Sequence, residues 1–447
     1  MRIAIVGSGI AGMSCAWLLD KIHDITVYES DDRPGGHSNT VAMPTAAGDV
    51  AVDTGFIVYN ERNYPNLTAL FHHLGIPTKA SSMSFGVSLD GGRFEYSGSE
   101  TYGTLFAQKS NLLRPAFHRM LADIMRFNAA AVRFLSDGQS SAQLTIGEFL
   151  SRGRYGEAFC NRYLLPMSAA IWSASLEKIR AFPARSFLQF FSNHGLISLN
   201  DRPAWRTVEG GSIVYVNKLI ESFKERLLVG VGASRISRHG EEVSVEDSQG
   251  HTETYDAVVL ACHADDALGL IEEPTETERS VLEAFDYQSN EAVLHSDPRL
   301  MPKRRAVWSS WNYLASSARS REAKVSVTYW MNHLQRLETD RLALLSLNPF
   351  EQPDPDHLVA KMRYDHPVFS QKTLDAQQRL SEIQGRHRLW FAGAHWGFGF
   401  HEDGLLSGLR VAAGLGAAPP WWPNVEPLNI LKPAEVSTLP QAVAGAD

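Results

Sequence analysis

Residues 2–6 open the chain with an apolar run, Ile3-Ala4-Ile5-Val6, that stops at Gly7 and predicts a short strand. From residue 10 to 21 the period changes: Met13, Trp17 and Leu18 share one stripe, which predicts a helix. Residues 24–28 form a second apolar strand with Glu29 at its end, so the chain begins as a βαβ unit. From about residue 101 to 150 the pattern is helical. Leu105, Leu112, Leu113, Phe117, Leu121, Ile124, Met125 and Phe127 recur at three- and four-residue intervals, with Arg114, Arg119, Arg126 and Arg133 between them. Two readings of that stretch stand: an amphipathic helix pair with a solvated basic face, or a basic, apolar helix facing phospholipid.

Residues 227–260 return to β patterning, with runs at 227–231, 235–238, 243–245 and 256–261 around a turn at Ser248-Gln249-Gly250. Further strand-like runs lie at 292–295, 325–330, 342–347 and 389–394, and residues 404–415 read as a helix. Six prolines fall between residues 417 and 447, which predicts an extended tail whose Trp421-Trp422 pins its first part to the body.

Composition narrows the class. In 447 residues, 44% hydrophobic and 21% charged positions fit a folded globular chain, and the length suits two or three domains. A net charge of −8 argues against nucleic acid as a partner. Cys15, Cys160 and Cys262 lie too far apart for a disulfide framework or a zinc ribbon, which suggests a reducing compartment; Cys262 reads as the residue after a buried strand. Met1-Arg2 leads straight into the first strand without a signal-peptide pattern, and no run of about eighteen apolar residues occurs. A cytoplasmic location is expected, with peripheral contact at the inner membrane face left open.

The chemistry begins at Gly7-Ser8-Gly9-Ile10-Ala11-Gly12. This G-x-G-x-x-G follows a strand, opens a helix and precedes Glu29 by about twenty residues, the context of a dinucleotide fingerprint. Gly7 allows the turn, Gly9 lets backbone approach pyrophosphate, and Gly12 lets helix and strand pack closely. The amides of Ile10 and Ala11 at the helix start face the phosphates, while Glu29, followed by Ser30, accepts from ribose hydroxyls. A βαβ unit without nucleotide is the bland alternative.

Arg33-Pro34-Gly35-Gly36 completes E-x3-R-x-G-G after Glu29. With Asp53-Thr54-Gly55, the 229–231 segment, Phe391-Ala392-Gly393, Gly399-Phe400-His401-Glu402, Ser407-Gly408 and Ala412-Ala413, the chain resembles the flavin amine oxidase and phytoene desaturase superfamily. The resemblance implies FAD as cofactor, held by Gly7, Gly9, Ile10, Ala11, Gly12, Glu29, Ser30, Arg33, Gly35, Gly36, His37, Val231, Gly393 and Glu402. It implies an α/β fold: a Rossmann-like FAD-binding domain (1–80, 205–270 and 383–418) interleaved with an α+β substrate domain (81–204 and 271–382), then a tail at 419–447. Three departures surround the flavin: His37 where amine oxidases usually carry arginine, Ala394-His395 where an acid is common, and Asp403 in place of a small residue.

Longer strings, among them Gly35-Gly36-His37-Ser38-Asn39-Thr40, Trp308-Ser309-Ser310-Trp311-Asn312-Tyr313, Leu347-Asn348-Pro349 and Gly397-Phe398-Gly399-Phe400-His401-Glu402-Asp403-Gly404, are similar to a narrower group. These are flavoproteins associated with cyclopropane-fatty-acid-synthase-type methyltransferases, including a desaturase of methylated fatty acyl chains. That likeness implies desaturation or isomerisation of an unsaturated or methylated acyl chain by hydride transfer to flavin N5, with a methyltransferase as functional partner. A lipid would need an apolar tunnel; the aromatic, Met and Leu positions around 182–199 and 308–331 either line one or build the core. His37, His395, His401 and Asp403 are the catalytic candidates, since imidazoles titrate near neutrality; the bland reading makes each histidine structural. No metal-ligand constellation is present in the sequence. An amine oxidase and a non-catalytic flavoprotein partner remain as alternatives.

Overall fold

The computed structural model describes residues 1–98, 102–137, 144–172, 175–197, 203–315, 325–422 and 425. The first strand, Arg2–Val6, lies at the centre of a five-stranded sheet, with Ile3, Ala4 and Ile5 fully buried. Across the sheet the order is Leu227–Val229, Asp24–Glu29, Arg2–Val6, Ala257–Leu260 and Leu389–Phe391, every pairing parallel. Strands covered on both faces need continuous apolar runs, which is why these segments stood out. All ten residues of the helix Ile10–Leu19 are buried, and it packs against the C-terminal helix His401–Gly414. The sheet thus gathers segments from the beginning, middle and end of the chain.

A second, seven-stranded sheet has the order Leu358–Val368, Asp286–His295, Leu344–Leu347, Val325–Trp330, Trp311–Ala315, Phe85–Leu89 and Phe94–Ser97. Its pairings are antiparallel except that between Phe85–Leu89 and Trp311–Ala315. Helices, notably Pro115–Ser136, Leu165–Trp172 and Ala184–Asn193, share with it one continuous apolar cluster. Phe187, Phe190 and Phe191 pack around Trp172 in that cluster, so these aromatic positions are core.

The 229–231 segment is shorter as a strand than the pattern suggested. The ladder ends at Val229, Gly230 turns with φ of 75°, and Val231 donates its amide to the Glu29 carbonyl at 2.8 Å. The expected strand at 389–394 stops at Phe391, and the final helix starts at His401, three residues before the expected 404. At the C-terminus, Trp421 stacks with Trp17, and the indoles of Trp421 and Trp422 both donate to Asn66 Oδ1. The remainder of the expected tail, from residue 426, lies outside the described residues. No helix among the described residues is long and apolar enough to cross a membrane.

Candidate functional site

The fingerprint loop leaves the central strand at its C-terminal edge. Gly7 has φ of 100°, a left-handed conformation that favours glycine. A Cβ on Gly12 would collide with the Gly7 carbonyl oxygen, so helix and loop meet only because that side chain is absent. A Cβ on Gly9 would meet nothing within 4 Å. The side of the loop that a phosphate approaches therefore carries no side chain. Gly9 is also the N-cap, with no side-chain cap and no acid in the first turn, so the amides that follow stay available to an anion.

The second glycine pair is docked on the first loop. Gly35 donates its amide to the Ser8 carbonyl at 3.0 Å, and a Cβ on Gly36 would lie 3.2 Å from the Gly9 Cα. Arg33 Nη2 donates to the Gly36 carbonyl at 2.8 Å. Buried Glu29 accepts from the Ser8 and Asp31 amides, each at 2.9 Å, and exposed Ser30 follows it. Two glycine loops, an uncapped helix end and a fixed carboxylate at the end of the second strand form a cradle that fits a dinucleotide.

Asp53 sits at the seam between this cradle and the seven-stranded sheet. Its Oδ1 accepts from Thr40 Oγ1 at 2.6 Å and from the Ser212 amide and hydroxyl at 2.8 Å; its Oδ2 accepts from Gln335 Nε2 at 2.8 Å. Burial raises its pKa to about 6 despite those donors. Asp53→Ala would strand several buried donors, and we expect a loss of about 3 kcal/mol in urea unfolding at pH 7. A loss within error would contradict this joining role.

The catalytic candidates do not converge on one point. His37 lies beside the glycine pair, its ring centroid 5.0 Å from that of Tyr364 and 5.4 Å from that of His366. Tyr364 and His366 were not expected; they sit two residues apart on Leu358–Val368 and so share a face of that strand. The Tyr364 hydroxyl meets Asn39 Nδ2 at 3.0 Å and Thr54 Oγ1 at 2.8 Å. Asn290 Nδ2 donates to His366 Nδ1 at 3.2 Å, and Asn290 Oδ1 accepts from Asn348 Nδ2 at 2.8 Å. An amide nitrogen only donates, so neutral His366 carries its proton on Nε2. Burial pushes His366 down to about 4; burial and the adjacent His366 hold His37 well below the usual imidazole range.

His395 and His401 have ring partners of their own, although His401 is close enough to His37 to help lower its pKa. His395 follows Gly393, whose amide donates to Ser407 Oγ at 2.8 Å, and its ring packs against Phe285 and Trp396 with Tyr287 beyond. His401 stacks on Phe56 at 3.9 Å, with Nε2 2.7 Å from the Tyr215 hydroxyl, which in turn contacts Ser38 Oγ. Burial lowers both imidazoles to about 3.

The two acids after His401 are engaged with backbone. Glu402 accepts from the Asn66 amide and side chain and from the Leu67 amide, all at 2.9 Å, capping the helix Pro65–Leu74. Asp403 Oδ2 accepts from the Phe398 amide at 3.0 Å and the Phe400 amide at 2.9 Å, closing the loop before its own helix. Burial raises both carboxyls to about 7. A carboxyl raised in the folded state stabilises the fold below its unfolded pKa, and that stability is lost as pH rises through about 7. Asn at 403 can still accept both amides but does not titrate. Asp403→Asn should therefore gain stability relative to the parent on going from pH 5 to pH 8, read from paired melting curves. The opposite trend would reverse the assigned shift.

With this geometry in place, comparison with known proteins is direct. The family model for flavin containing amine oxidoreductase matches residues 10–415. A 15-cis-phytoene desaturase of Synechococcus elongatus is 40% identical over 90 residues, which is 19% of this chain and 18% of that protein. The chain thus matches only about a fifth of that relative's length. Among solved structures, a CLA-producing fatty acid isomerase from P. acnes superposes with a TM-score of 0.65 at 15% identity, covering 93% of this chain and 99% of that one. Cyclohexylamine oxidase from Brevibacterium oxydans gives 0.64 at 14% identity, covering 93% and 98%. At such identity these structures establish the shared two-domain fold alone. The cradle fits FAD, and the family match spans most of the chain: the protein belongs to the flavin containing amine oxidoreductases and is an FAD-dependent oxidoreductase.

Proposed function

We propose that the protein desaturates or isomerises an unsaturated or methylated fatty acyl chain. One observation carries this reading: the rings gathered at His37 are the neutral imidazole of His366 and the phenol of Tyr364, and the apolar cluster that includes Tyr364 runs unbroken to Phe190 and Phe398. An ammonium substrate is held by a carboxylate or an aromatic cage, and Asp53 already has its oxygens taken by Thr40, Ser212 and Gln335. An acyl chain calls for apolar wall instead.

Bound FAD supplies at N5 the acceptor for a hydride from a C–H bond activated by a neighbouring double bond. The chain's own residues supply the proton chemistry. His37 is neutral, and neither ring nitrogen is hydrogen-bonded among the described residues, so it can take a proton from carbon. His366, fixed by Asn290, carries its proton on Nε2, and its ring centroid lies 5.4 Å from that of His37. Phe398 and Phe400 exclude water beside the start of the C-terminal helix, where Phe400 stacks on Phe190 at 4.9 Å. A methyltransferase supplying a methylated acyl substrate is the functional partner that the sequence resemblance implies.

Lipid extracts from cells with and without the protein test the reading. Acyl chains that lose two hydrogens, or keep their mass with a moved double bond, are expected only with the protein present. Identical lipids, together with peroxide release from an amine, would favour amine oxidation.

A further inference from the structure

The segment entering and forming the longest helix is built unlike the rest of the surface. Leu112 and Leu113, in the single turn Lys109–Leu113, are 51% and 87% exposed. The helix Pro115–Ser136 follows at once and spans about 33 Å. Its inner face buries Phe117, Met120, Phe127 and Ala131. Its outer face shows Met125 at 54% and Val132 at 55%, seven residues apart and so in one row, with Ala122 and Ala129 between turns of the same stripe. Arg119, Arg126 and Arg133, also at seven-residue spacing and exposed, form a parallel row.

The charge of this segment opposes that of the molecule. From residue 102 to 137 there are five Lys or Arg against two Asp, in a chain of net charge −8. One of the acids, Asp123, is buried and already paired with Arg126. Protruding leucines beside a row of arginines suit insertion among anionic headgroups. The side chains beneath the helix also belong to the same continuous apolar cluster that reaches Phe190 and Phe398 near the proposed acyl site.

We propose that Leu112, Leu113 and the outer face of the helix Pro115–Ser136 dock the protein on an anionic phospholipid bilayer. The proposal deepens the acyl-chain reading by naming the surface from which substrate is taken, and it is tested without turnover. The full-length holoprotein is sedimented with vesicles of equal parts phosphatidylcholine and phosphatidylglycerol, and with phosphatidylcholine alone. Binding to the mixed vesicles, weakened by salt and by removal of the anionic lipid, is expected. Each arginine near the surface should contribute about fivefold, so the Arg119→Glu, Arg133→Glu double variant should bind at least ~25-fold more weakly.

Leu112→Asp with Leu113→Asp should abolish binding while melting temperature and flavin content stay unchanged, since both side chains already face solvent. No binding at low salt, equal binding to neutral vesicles, or binding untouched by the leucine changes would each overturn the proposal. So would concentration-dependent self-association through this face with no affinity for vesicles. Flavin reduction by detergent-dispersed acyl lipid separates the two readings. If it persists without vesicle binding, docking alone fails; if vesicles bind and acyl lipid neither bleaches the flavin, even transiently, nor changes its own double bonds, the substrate reading alone fails.

Discussion

Gly9→Asp should weaken FAD binding by at least about 100-fold and leave the apoprotein as stable as the parent. Gly9 is the N-cap of the first helix, with φ of −64° and ψ of 178°, a conformation any residue adopts. Asp is a preferred N-cap, so the apo fold should gain a few tenths of a kcal/mol, if anything. The new carboxylate, however, would project from the side of the loop that meets no other atom within 4 Å, where the pyrophosphate must approach. Like charges in such contact cost several kcal/mol, and each 1.4 kcal/mol is about tenfold in affinity. Gly12→Val provides the contrast. Its side chain would strike the Gly7 carbonyl, so it should lose about 3 kcal/mol of stability as well as cofactor. Flavin absorbance after gel filtration and apoprotein unfolding read the two quantities separately. Retained flavin in Gly9→Asp would remove the loop from the cofactor site.

His37→Ala should retain FAD yet turn over about 100-fold more slowly or worse, the usual loss when a positioned base is removed. With His37 held well below the ordinary imidazole range, the parent rate should be flat from pH 6 to pH 8, because the base is already unprotonated throughout. Asn290→Asp gives this arrangement a second test. A carboxylate against His366 Nδ1 favours its protonated form, raising a pKa now near 4. The cation so created lies beside His37 and should disfavour protonation there during turnover, lowering the rate on the acid side while Asn290→Leu leaves the profile flat. Unchanged profiles in both variants would confine Asn290 to a structural role.

The residues that proved easiest to read act within a few positions of one another. Gly7, Gly9 and Gly12 are constrained by one strand–turn–helix, and Arg33, Gly35 and Gly36 by a loop resting on it, so spacing alone located them. His366 and Tyr364 lie far from that loop in sequence, on the edge strand Leu358–Val368. Its alternation of Ala360, Met362 and Tyr364 with Lys361, Arg363 and Asp365 marks a half-buried strand, but nothing in that pattern tells which distant residue its inner face meets. Only the pairing of Leu358–Val368 with Asp286–His295 brings Asn290 to His366.

Glu402 and Asp403 illustrate the limit of motif adjacency. Both stand next to His401 in sequence, but their oxygens are turned to Asn66 and Leu67 and to Phe398 and Phe400. Helix starts demand acceptors, and nothing in a linear motif tells whether an acid serves the ligand or the backbone. Within the stretch from 101 to 150, the helix Pro115–Ser136 was legible because its apolar period is strong. Only the structure shows that Leu112, Leu113, Met125 and Val132 point away from the core.

Anaerobic addition of methylated or unsaturated acyl phospholipid to the purified yellow holoprotein, beside a panel of primary amines, is the most direct measurement of the proposed chemistry. If the protein desaturates its substrate, the visible flavin band should bleach with an acyl lipid and stay unchanged with every amine. An isomerase would bleach it only transiently, leaving a lipid of the same mass with its double bond moved. Bleaching by an amine, with neither bleaching nor altered lipid from any acyl chain, would contradict the assignment.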